Sequence, residues 1–562
     1  MGAVPVLGIE GTAHTVGVGI VDDRARNDER GRCRVLANVR DMLLPEEGGI
    51  HPREAAHHHA ETGPDLLRRA LDDAGLEPGD LDAVAFSQGP GLGPCLRVAA
   101  TMARALAVRH ALPLVGVNHC VAHLEVGRGM TGARDPVLLY ASGANTQVIA
   151  FARGRYRVFG ETLDIGIGNA LDKFARDNGV PFPGGPRIEK EAAARAGVDL
   201  RELPYTVKGM DLGFSGLVTA SQRLVDDGLP FAEAAYSLQE TAFAALVEVA
   251  ERALAHTGRS ELLLGGGVAC NLRLQAMARA MVEARGGTFH CPPPAVLVDN
   301  GVMIAWLGLL KLRAGDTLPV AASAVRPYER TDHVEATWRR PPAVDPPAPG
   351  LAPGAPVRGA EAIVEPATML GRAALAKRRV PKTYRHSALD DRLRRARTRD
   401  EAHLLVAARR AGVPVPVVLD VDRASATIRL EPVQGPLLRH VLPDDDDRTA
   451  AARLERLGRL VARLHDAGIT HGDLTTSNLV VPDPADPASL VVLDFGLGQA
   501  TAEDEPRGVD LHLVEEALAA TDDRAEALFR AFLGAYRVAR DAPDAAGAVA
   551  RLEAIRERGR YR

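Results

Sequence analysis

The sequence predicts a mixed α/β protein in which a larger two-lobed α/β domain precedes a smaller α+β domain. Three observations lead to this prediction: a strand–turn–strand pattern that occurs twice in the first half, a later run of three glycines at Gly265–Gly267, and a proline-rich stretch between the two halves. A chain of 562 residues is too long for one hydrophobic core. Its 46% hydrophobic and 25% charged residues are typical of a globular protein.

The two strand–turn–strand units justify the two lobes. Their strands are predicted at Val6–Glu10, Gly17–Asp22, Val137–Tyr140 and Gln147–Ala152. The turns between them are rich in glycine and hydroxyl residues, as in loops that wrap phosphate. The glycine run follows an apolar strand and opens a helix predicted at Leu272–Ala284, which suits close backbone approach to a nucleotide. Any one such turn is usually a simple hairpin, but together they predict duplicated lobes around a nucleotide, the layout of the actin, sugar-kinase and heat-shock-ATPase (ASKHA) architecture.

The domain boundary is visible in the composition. Pro341–Pro356 holds seven prolines and two glycines in 16 residues, so it should form an extended spacer rather than a helix or central strand. The predicted organisation is a first domain at 1–335, a linker at 336–357 and a second domain at 358–562. The net charge of -5 means that any nucleic-acid binding needs a local basic surface.

Composition also sets expectations about location. The chain has no apolar run of 18 residues and starts directly into a predicted strand, so we expect a cytoplasmic protein with no membrane association. Its five cysteines are scattered without a Cys-x-x-Cys pair, which argues against a disulfide framework and a structural zinc site. The run His57–His59 is not predicted to hold a metal, because adjacent helical side chains point about 100° apart.

A pair of histidines predicts a metal centre in the first domain. His119 and His123 lie four residues apart in the helix-like segment Val117–Leu124, so both imidazoles can reach one cation. A bare His-x-x-x-His is more often two buried, hydrogen-bonded histidines, and that alternative stays open. The general-base glutamate of a His-Glu-x-x-His protease is absent. Asp299, predicted at a strand end, is the best third ligand, and Tyr140 could add a phenolate; such a set favours iron or zinc as a Lewis acid.

The second half carries the residues that phosphoryl transfer requires. Between Thr470 and Gly496 the chain contains His-x-Asp-x-x-x-x-Asn followed by Asp-Phe-Gly. Asp473 is predicted to accept a hydroxyl proton, and Asn478 and Asp494 are predicted to hold Mg²⁺ on ATP. These motifs predict a small, atypical protein-kinase-like domain.

The predicted ATP site has a shorter cover than most kinases. The Gly-x-Gly-x-x-Gly loop is missing, and Lys377 is expected to pair the phosphates with Glu401 on a helix. The strand that covers ATP is predicted to begin at Gly359, Ala360, Glu361 and Ala362. Arg372–Arg410 contains thirteen Lys or Arg against four Asp or Glu. This run is either a solvated helix face or a footprint for nucleic-acid phosphates, which charge reversal of Arg394, Arg395 and Arg397 would test.

Ten motifs of the first half occur in the order of a known family. They are Gly8–Thr12, His51–Ala56, Gly89–Pro94, Asn118–His123, Ser142–Gln147, Asp164–Asn169, Lys208–Asp211, Phe214–Leu217, Gly265–Val268 and Asp299–Ala305. In these the sequence resembles the universal tRNA threonylcarbamoyladenosine synthase family. The second half resembles the small atypical kinase of the same pathway, and a single-chain fusion of the two is a pattern familiar from archaea.

The resemblance implies a reaction and a set of site residues. The exocyclic amine of adenosine 37, in tRNAs that read codons beginning with A, would attack the carbamoyl carbonyl of threonylcarbamoyl-AMP and release AMP. One Fe²⁺ or Zn²⁺ would be held by His119, His123, Tyr140 and Asp299. The residues implied for the adenylate are Tyr140, Ala141, Ser142, Gly143, Ala144, Asp172, Gly185, Glu189 and Asn271. Ala144 replaces the family's usual glycine, and helix-surface solvation remains the alternative for Asp172 and Glu189.

The resemblance also implies partners. The family works in the KEOPS complex with a small dimerising subunit and a tRNA-docking subunit, and the kinase half, with Mg²⁺ and ATP, would act as a kinase or ATPase that regulates the transferase. The main alternative is a signalling Ser/Thr protein kinase with a chaperone-like ATPase domain, which predicts no dependence on tRNA. A sugar kinase in both halves lacks support, because the first half offers a two-histidine metal site and no hydroxyl-activating signature.

Overall fold

A computed structural model of the chain describes residues 4–23, 33–44, 51–195, 197–339, 356–540 and 542–560. Most of the predicted linker at 336–357, including nearly all of its proline-rich stretch, lies outside the described residues. The five cysteines are all described, and all five are free thiols. Among the described residues, no helix combines the length and the apolar character needed to span a membrane.

The first lobe is a five-stranded sheet with helices on its faces. Its elements are β1 (Val6–Glu10), β2 (Thr15–Asp22), β3 (Arg34–Met42), α1 (Pro52–Ala74), β4 (Ala83–Gly89), α2 (Gly93–His110), β5 (Leu114–Asn118) and α3 (His119–Thr131). The strand order is β3-β2-β1-β4-β5, with β1, β2 and β3 antiparallel and β4 and β5 parallel to β1. Every residue of β1 and β2 is buried, so this sheet is covered on both faces.

The second lobe repeats the plan. Its first elements are β6 (Val137–Ala141), β7 (Thr146–Ala152), β8 (Arg155–Glu161), α4 (Ile167–Asp177), α5 (Gly185–Ala193), β9 (Val207–Lys208), β10 (Asp211–Leu212), α6 (Ser215–Asp226) and α7 (Phe231–Thr257). It ends with β11 (Glu261–Gly265), α8 (Leu272–Ala284), β12 (Thr288–His290) and α9 (Pro294–Leu297), after which α10 (Gly301–Arg313) returns to the first lobe. The order β12-β11-β6-β7-β8 again joins three antiparallel strands to two parallel ones. The predicted duplication of lobes is therefore confirmed.

Helix α10 crosses the first sheet at very short range, which is what the glycines of β1 and β2 permit. A Cβ at Gly8 would lie 2.2 Å from the backbone nitrogen of Ala305, and one at Gly19 would lie 2.3 Å from that of Val302. Asn300 caps α10 by accepting from the Met303 N–H at 3.0 Å. This packing fixes the start of α10, and with it Asp299, against the first sheet.

The second domain has a small sheet followed by a helical lobe. Its elements are β13 (Val357–Arg358), β14 (Ala362–Met369), β15 (Arg372–Arg379), α11 (Ser387–Arg410), β16 (Val418–Asp422), β17 (Thr427–Leu430), α12 (Leu438–Val441), α13 (Asp447–Asp466), β18 (Ile469–Thr470), β19 (Leu479–Val480), β20 (Val491–Val492), β21 (Gln499–Ala500), α14 (Asp504–Thr521), α15 (Ala525–Ala539) and α16 (Ala542–Arg560). The sheet order is β13-β14-β15-β17-β16, all antiparallel. This is the kinase-like α+β domain that the motifs predict.

Candidate functional site

The two histidines stand at the start of a helix that begins later than the sequence suggested. Val117 and Asn118 close β5, so the helix-like reading of the segment from Val117 is wrong by two residues. Asn118 caps α3 by accepting from the Val121 N–H at 3.1 Å. His119 and His123 then sit one turn apart, both buried, with ring centroids separated by 4.8 Å.

Asp299 completes the cluster from a loop. It lies between α9 and α10, so the prediction that it follows a strand is wrong. One of its oxygens lies 3.3 Å from His123 Nε2 and 3.5 Å from His119 Nε2. The ligand atoms of the three residues lie within 4.8 Å of one another, which is close enough to hold one metal ion. Burial opposes its charge, but the two imidazoles hold the pKa of Asp299 well below its usual value.

Tyr140, the residue before the last of strand β6, approaches the same point. Its hydroxyl lies 3.4 Å from His119 Nε2, and its ring centroid lies 5.1 Å from that of His123. Burial raises the pKa of Tyr140 well above its usual value, with the nearby Cys120 and Asp299 adding to the effect. Two imidazoles, a carboxylate and a phenol form a mixed nitrogen and oxygen set that fits a Lewis-acid metal such as iron or zinc.

The N-terminal residues of helix α4 hold the second glycine turn, which follows strand β6, by hydrogen bonds to its backbone. The N–H groups of Gly168 and Asn169 donate to the carbonyls of Ser142 and Gly143 at 3.1 and 2.9 Å. A Cβ at Gly168 would lie 2.7 Å from the Cα of Gly143, so the turn and the helix are in close backbone contact. Ala144 lies in this turn, beside an open pocket that Cys120 and Thr146 also line.

Three other residues implied for the adenylate, Asp172, Glu189 and Asn271, form hydrogen bonds within the protein. Asp172 accepts from the Gly184 N–H at 2.7 Å, and burial raises its pKa. Glu189 accepts from the Leu272 N–H at 2.7 Å. Asn271 caps α8 and donates to Gln239 at 2.9 Å. These contacts bring Glu189 and Asn271 together, whereas Gly185 opens α5 with free space where a Cβ would stand. Their contacts with a nucleotide stay a prediction.

The first glycine turn does not present its donors to a ligand as expected. The Gly11 N–H donates to Ser87 Oγ at 3.0 Å. The N–H and the hydroxyl of Thr12 both donate to Glu10, the former at 2.8 Å. The interpretation of this turn as a phosphate wrap is therefore wrong for these three donors, because buried side chains of the same lobe already bind them.

The kinase-like domain brings its predicted residues together. Lys377 Nζ lies 2.6 Å from Glu401 and 2.6 Å from Asp494. Asn478 donates to the Asp473 carbonyl at 2.7 Å and to its carboxylate at 3.2 Å. Burial raises the pKa of Asp473, although Asn478 stabilises the charged form. Burial also acts against the charge of Asp494, but Lys377 holds its pKa well below the usual value.

The predicted ATP cover is a tight turn with one side chain pointing away. The Gly359 N–H donates to Ala362 at 2.9 Å, and the carbonyl of Ala360 accepts from Lys382. The carboxylate of Glu361, however, pairs with Arg252 of the first domain and with Arg397. Its side chain is therefore part of a contact between domains, and ATP contact at these four positions stays a prediction.

Sequence reasoning missed that contact. Helix α7 is buried from Ala234 to Leu254, yet it carries Glu248, Glu251 and Arg252 near its end. Arg252 bonds Asp473 at 3.3 Å and Glu248 at 3.2 Å, so an arginine of the first domain touches the predicted catalytic base of the second. Charged residues inside an otherwise buried helix were the signal that could have revealed this interface.

The same interface corrects the interpretation of the basic run. Arg397 pairs with Glu248 at 2.9 Å and is nearly buried, so it is not free to bind tRNA phosphate. Arg394 pairs with Asp390 at 2.8 Å. Arg395 remains exposed. A charge reversal of all three residues would thus disturb the domain contact and would not isolate RNA binding.

The fold and these two sites define a two-domain enzyme that joins a two-lobed ASKHA-like metal-site domain to a kinase-like domain. Residues 34–306 match the family model of tRNA N6-adenosine threonylcarbamoyltransferase (TsaD), and residues 359–536 match that of the lipopolysaccharide kinase (Kdo/WaaP) family. Full-length relatives carry the same two halves. The chain belongs to the family of bifunctional tRNA threonylcarbamoyladenosine biosynthesis proteins, a transferase joined to a kinase-family domain, as its motifs predicted.

Two relatives illustrate the match, and both carry the name "Probable bifunctional tRNA threonylcarbamoyladenosine biosynthesis protein". The protein from Methanosarcina mazei is 46% identical over 99% of this chain and 99% of its own. The protein from Halobacterium salinarum is 48% identical over 99% of this chain and 98% of its own. Among solved structures, HypF from T. kodakarensis is 16% identical with a TM-score of 0.41, covering 55% of this chain and 48% of its own.

Proposed function

We propose that the first domain transfers the threonylcarbamoyl group of threonylcarbamoyl-AMP to the exocyclic amine of adenosine 37 in tRNAs that read codons beginning with A. The observation that carries this proposal is the cluster of His119, His123 and Asp299, whose ligand atoms lie within 4.8 Å of one another beside Tyr140 and the second glycine turn. The matching family model is named for threonylcarbamoyl transfer to tRNA adenosine, which supports the same reaction.

In this proposal the protein holds and orients two substrates and needs no covalent nucleophile. His119, His123, Asp299 and Tyr140 would hold iron or zinc, which polarises the carbamoyl carbonyl when bound. The turn that contains Ala144 would line the adenylate; Asp172, Gly185 and Glu189 would contact its ribose or base, and Asn271 would close the pocket. The adenosine nitrogen then bonds to the carbonyl carbon as the bond to the AMP oxygen breaks. Fixed orientation of the two substrates favours this step.

The second domain is proposed to use ATP and Mg²⁺ to regulate the transferase. Lys377 would contact the phosphates, Asn478 and Asp494 would hold Mg²⁺, and Asp473 would receive the acceptor proton. Support for regulation comes from Arg252, which touches Asp473 from the transferase side at 3.3 Å. The space beside Asp473 is walled by both domains, with His256 and Arg330 from the first and Thr475 and Glu516 from the second. An acceptor must therefore enter between them.

The proposed setting follows from the substrate. tRNA, threonylcarbamoyl-AMP and ATP are the proposed ligands, and a cytoplasmic location would give access to all three. The family resemblance supports partnership with the small dimerising and tRNA-docking subunits of KEOPS. The metal is proposed to be Fe²⁺ or Zn²⁺, one per transferase domain.

The test is nucleoside mass spectrometry of tRNA after incubation with threonylcarbamoyl-AMP and the full chain, with partner subunits added if the chain is inactive alone. Wild type should produce threonylcarbamoyladenosine at position 37, and His119→Ala should abolish it. His57→Ala is the matched control, because His57 is 75% exposed and outside the cluster. Full modification by a His119→Ala, His123→Ala double variant would reject the proposal.

A further inference from the structure

Glu10 is a buried carboxylate beside the metal cluster that no predicted role uses. It is the last residue of β1 and is fully buried. Its Oε2 lies 3.2 Å from His119 Nδ1, and its Oε1 accepts from the Thr12 N–H at 2.8 Å and from the Thr12 hydroxyl. One side chain therefore connects the first glycine turn to a candidate metal ligand.

The contact with His119 decides which ring nitrogen can bind a metal. An ionised carboxylate only accepts hydrogen bonds, so the hydrogen of this pair must be on His119 Nδ1. In the neutral imidazole that metal binding requires, the lone pair then lies on Nε2, the nitrogen that faces Asp299 at 3.5 Å and Tyr140 at 3.4 Å. Outer carboxylates of this kind fix both the tautomer and the ring orientation of metal-binding histidines.

His123 has no comparable support. Its Nδ1 is buried and has no hydrogen-bond partner among the described residues. Its Nε2 faces Asp299 at 3.3 Å. The anchoring at this cluster is therefore asymmetric, with His119 held from behind and His123 held mainly by the packing of α3.

The first glycine turn in turn holds Glu10. Both donors of Thr12 converge on one oxygen of Glu10, and Gly11 is fixed by its bond to Ser87 at 3.0 Å. The strand cannot shift to compensate, because β1 lies between β2 and β4 and packs on α10 through Gly8. The backbone of Glu10 is therefore fixed, and its carboxylate is held between Thr12 and His119.

We propose that Glu10 is a positioning residue that fixes His119 for metal binding and is itself fixed by Thr12. This inference rests on the metal centre proposed above and deepens it. Both carboxylate oxygens of Glu10 must accept hydrogen bonds, Oε1 from Thr12 and Oε2 from His119 Nδ1. Glutamine has nearly the same shape but offers one oxygen and one NH₂ group. If the NH₂ group of glutamine faced Thr12, two donors would meet there. If it faced His119, it would donate to Nδ1, and the ring proton would move to Nε2.

The experiment measures Zn²⁺ affinity of the metal-free full chain by competition with a chromophoric chelator. Glu10→Gln should weaken the affinity by about 10- to 100-fold, the usual effect of removing an outer-shell partner. Thr12→Val removes one hydroxyl and should weaken it by about fivefold, as for one hydrogen bond. Glu125→Gln is the matched control: Glu125 is buried on α3 and bonds Arg128 at 2.6 Å and Trp338 at 2.8 Å, outside the cluster. It should keep wild-type affinity.

The outcomes separate this inference from the proposed function. If wild type binds no Zn²⁺, the metal centre fails and the role of Glu10 fails with it. If wild type binds Zn²⁺ and Glu10→Gln binds it within twofold, the metal centre stands and the role of Glu10 is overturned. If circular dichroism shows that Glu10→Gln does not fold, Thr12→Val decides: weakened affinity supports the inference, and unchanged affinity overturns it.

Discussion

Replacing Arg252 with methionine should activate phosphoryl transfer by the second domain. Arg252 belongs to helix α7 of the transferase domain, and the residue is 7% exposed. It lies 3.3 Å from the carboxylate of Asp473, the predicted catalytic base. A base that is already paired with a buried arginine is a poorer acceptor for a hydroxyl proton, because the cation stabilises its charged, unprotonated form.

The geometry sets the size of the effect. Two unit charges 3.3 Å apart attract by about 5 kcal/mol at an effective dielectric constant of 20. Most of this is offset by the desolvation of both groups, and Asn478 continues to hold Asp473 after the change. A residual effect of about 1.4 kcal/mol on the barrier would raise the rate about tenfold. We therefore expect about a tenfold increase.

The assay follows the release or transfer of the γ-phosphate from radiolabelled ATP with Mg²⁺ and the full chain. Arg397→Met is the matched control, because Arg397 shares the partners Glu248 and Glu361 with Arg252 but is not bonded to Asp473. It should disturb the domain contact to a similar degree without the increase. Equal rates in the two variants, or a slower Arg252→Met, would refute the reasoning.

Three further predictions concern other parts of the chain. Lys377→Met should abolish ATP turnover, measured by phosphate release. It should leave the Zn²⁺ affinity unchanged in the chelator competition, because the ion pairs of Lys377 lie within the kinase-like domain. Gly8→Ala should lower the free energy of unfolding by about 3 kcal/mol or more, measured by thermal unfolding, since its Cβ would meet the Ala305 nitrogen at 2.2 Å. Gly534→Ala is the control and should cause no such loss, because the space around Gly534 is open. Burial lowers the pKa of His59 to about 4. Below about pH 6.5 this histidine is therefore protonated in the unfolded chain but stays neutral in the folded chain. The free energy of unfolding should fall from pH 6.5 towards pH 4, more steeply in wild type than in His59→Asn.

Local patterns made much of the fold predictable. The alternation of short apolar runs with glycine turns identified both lobes, and Leu272–Ala284 is the helix that was expected. The spacing of His119 and His123 was enough to place them on one face. Asp299 was predicted as the third ligand, but its place in a loop before α10 was not, because that position depends on the close contact of α10 with Gly8 and Gly19, which no local pattern encodes.

The errors have a common physical cause. The sequence shows which side chains can donate or accept, but not which partner has already bound them. Thr12 was expected to face phosphate and instead faces Glu10. For Arg397 the alternatives were solvent and RNA phosphate, and it instead faces Glu248. In both cases a buried carboxylate takes the donor: Glu10 lies two residues from Thr12, and Glu248 lies 149 residues from Arg397. A charge within a buried stretch, as in α7, signals that the residue has a partner, but only the assembled fold shows which residue that partner is.

Helix α7 joins the two candidate sites physically. Near its middle, Gln239 accepts from Asn271, the cap of α8, at 2.9 Å, and Glu240 binds Arg273 at 2.6 Å. Thirteen residues later Arg252 binds Asp473 at 3.3 Å, a separation of about 20 Å along the helix axis at about 1.5 Å per residue. A buried helix in a close-packed interior transmits displacement rather than absorbing it. Side chains that contact the proposed adenylate pocket and the kinase base therefore lie on one buried helix, and the charged residues near its end are those that pair across the domain contact.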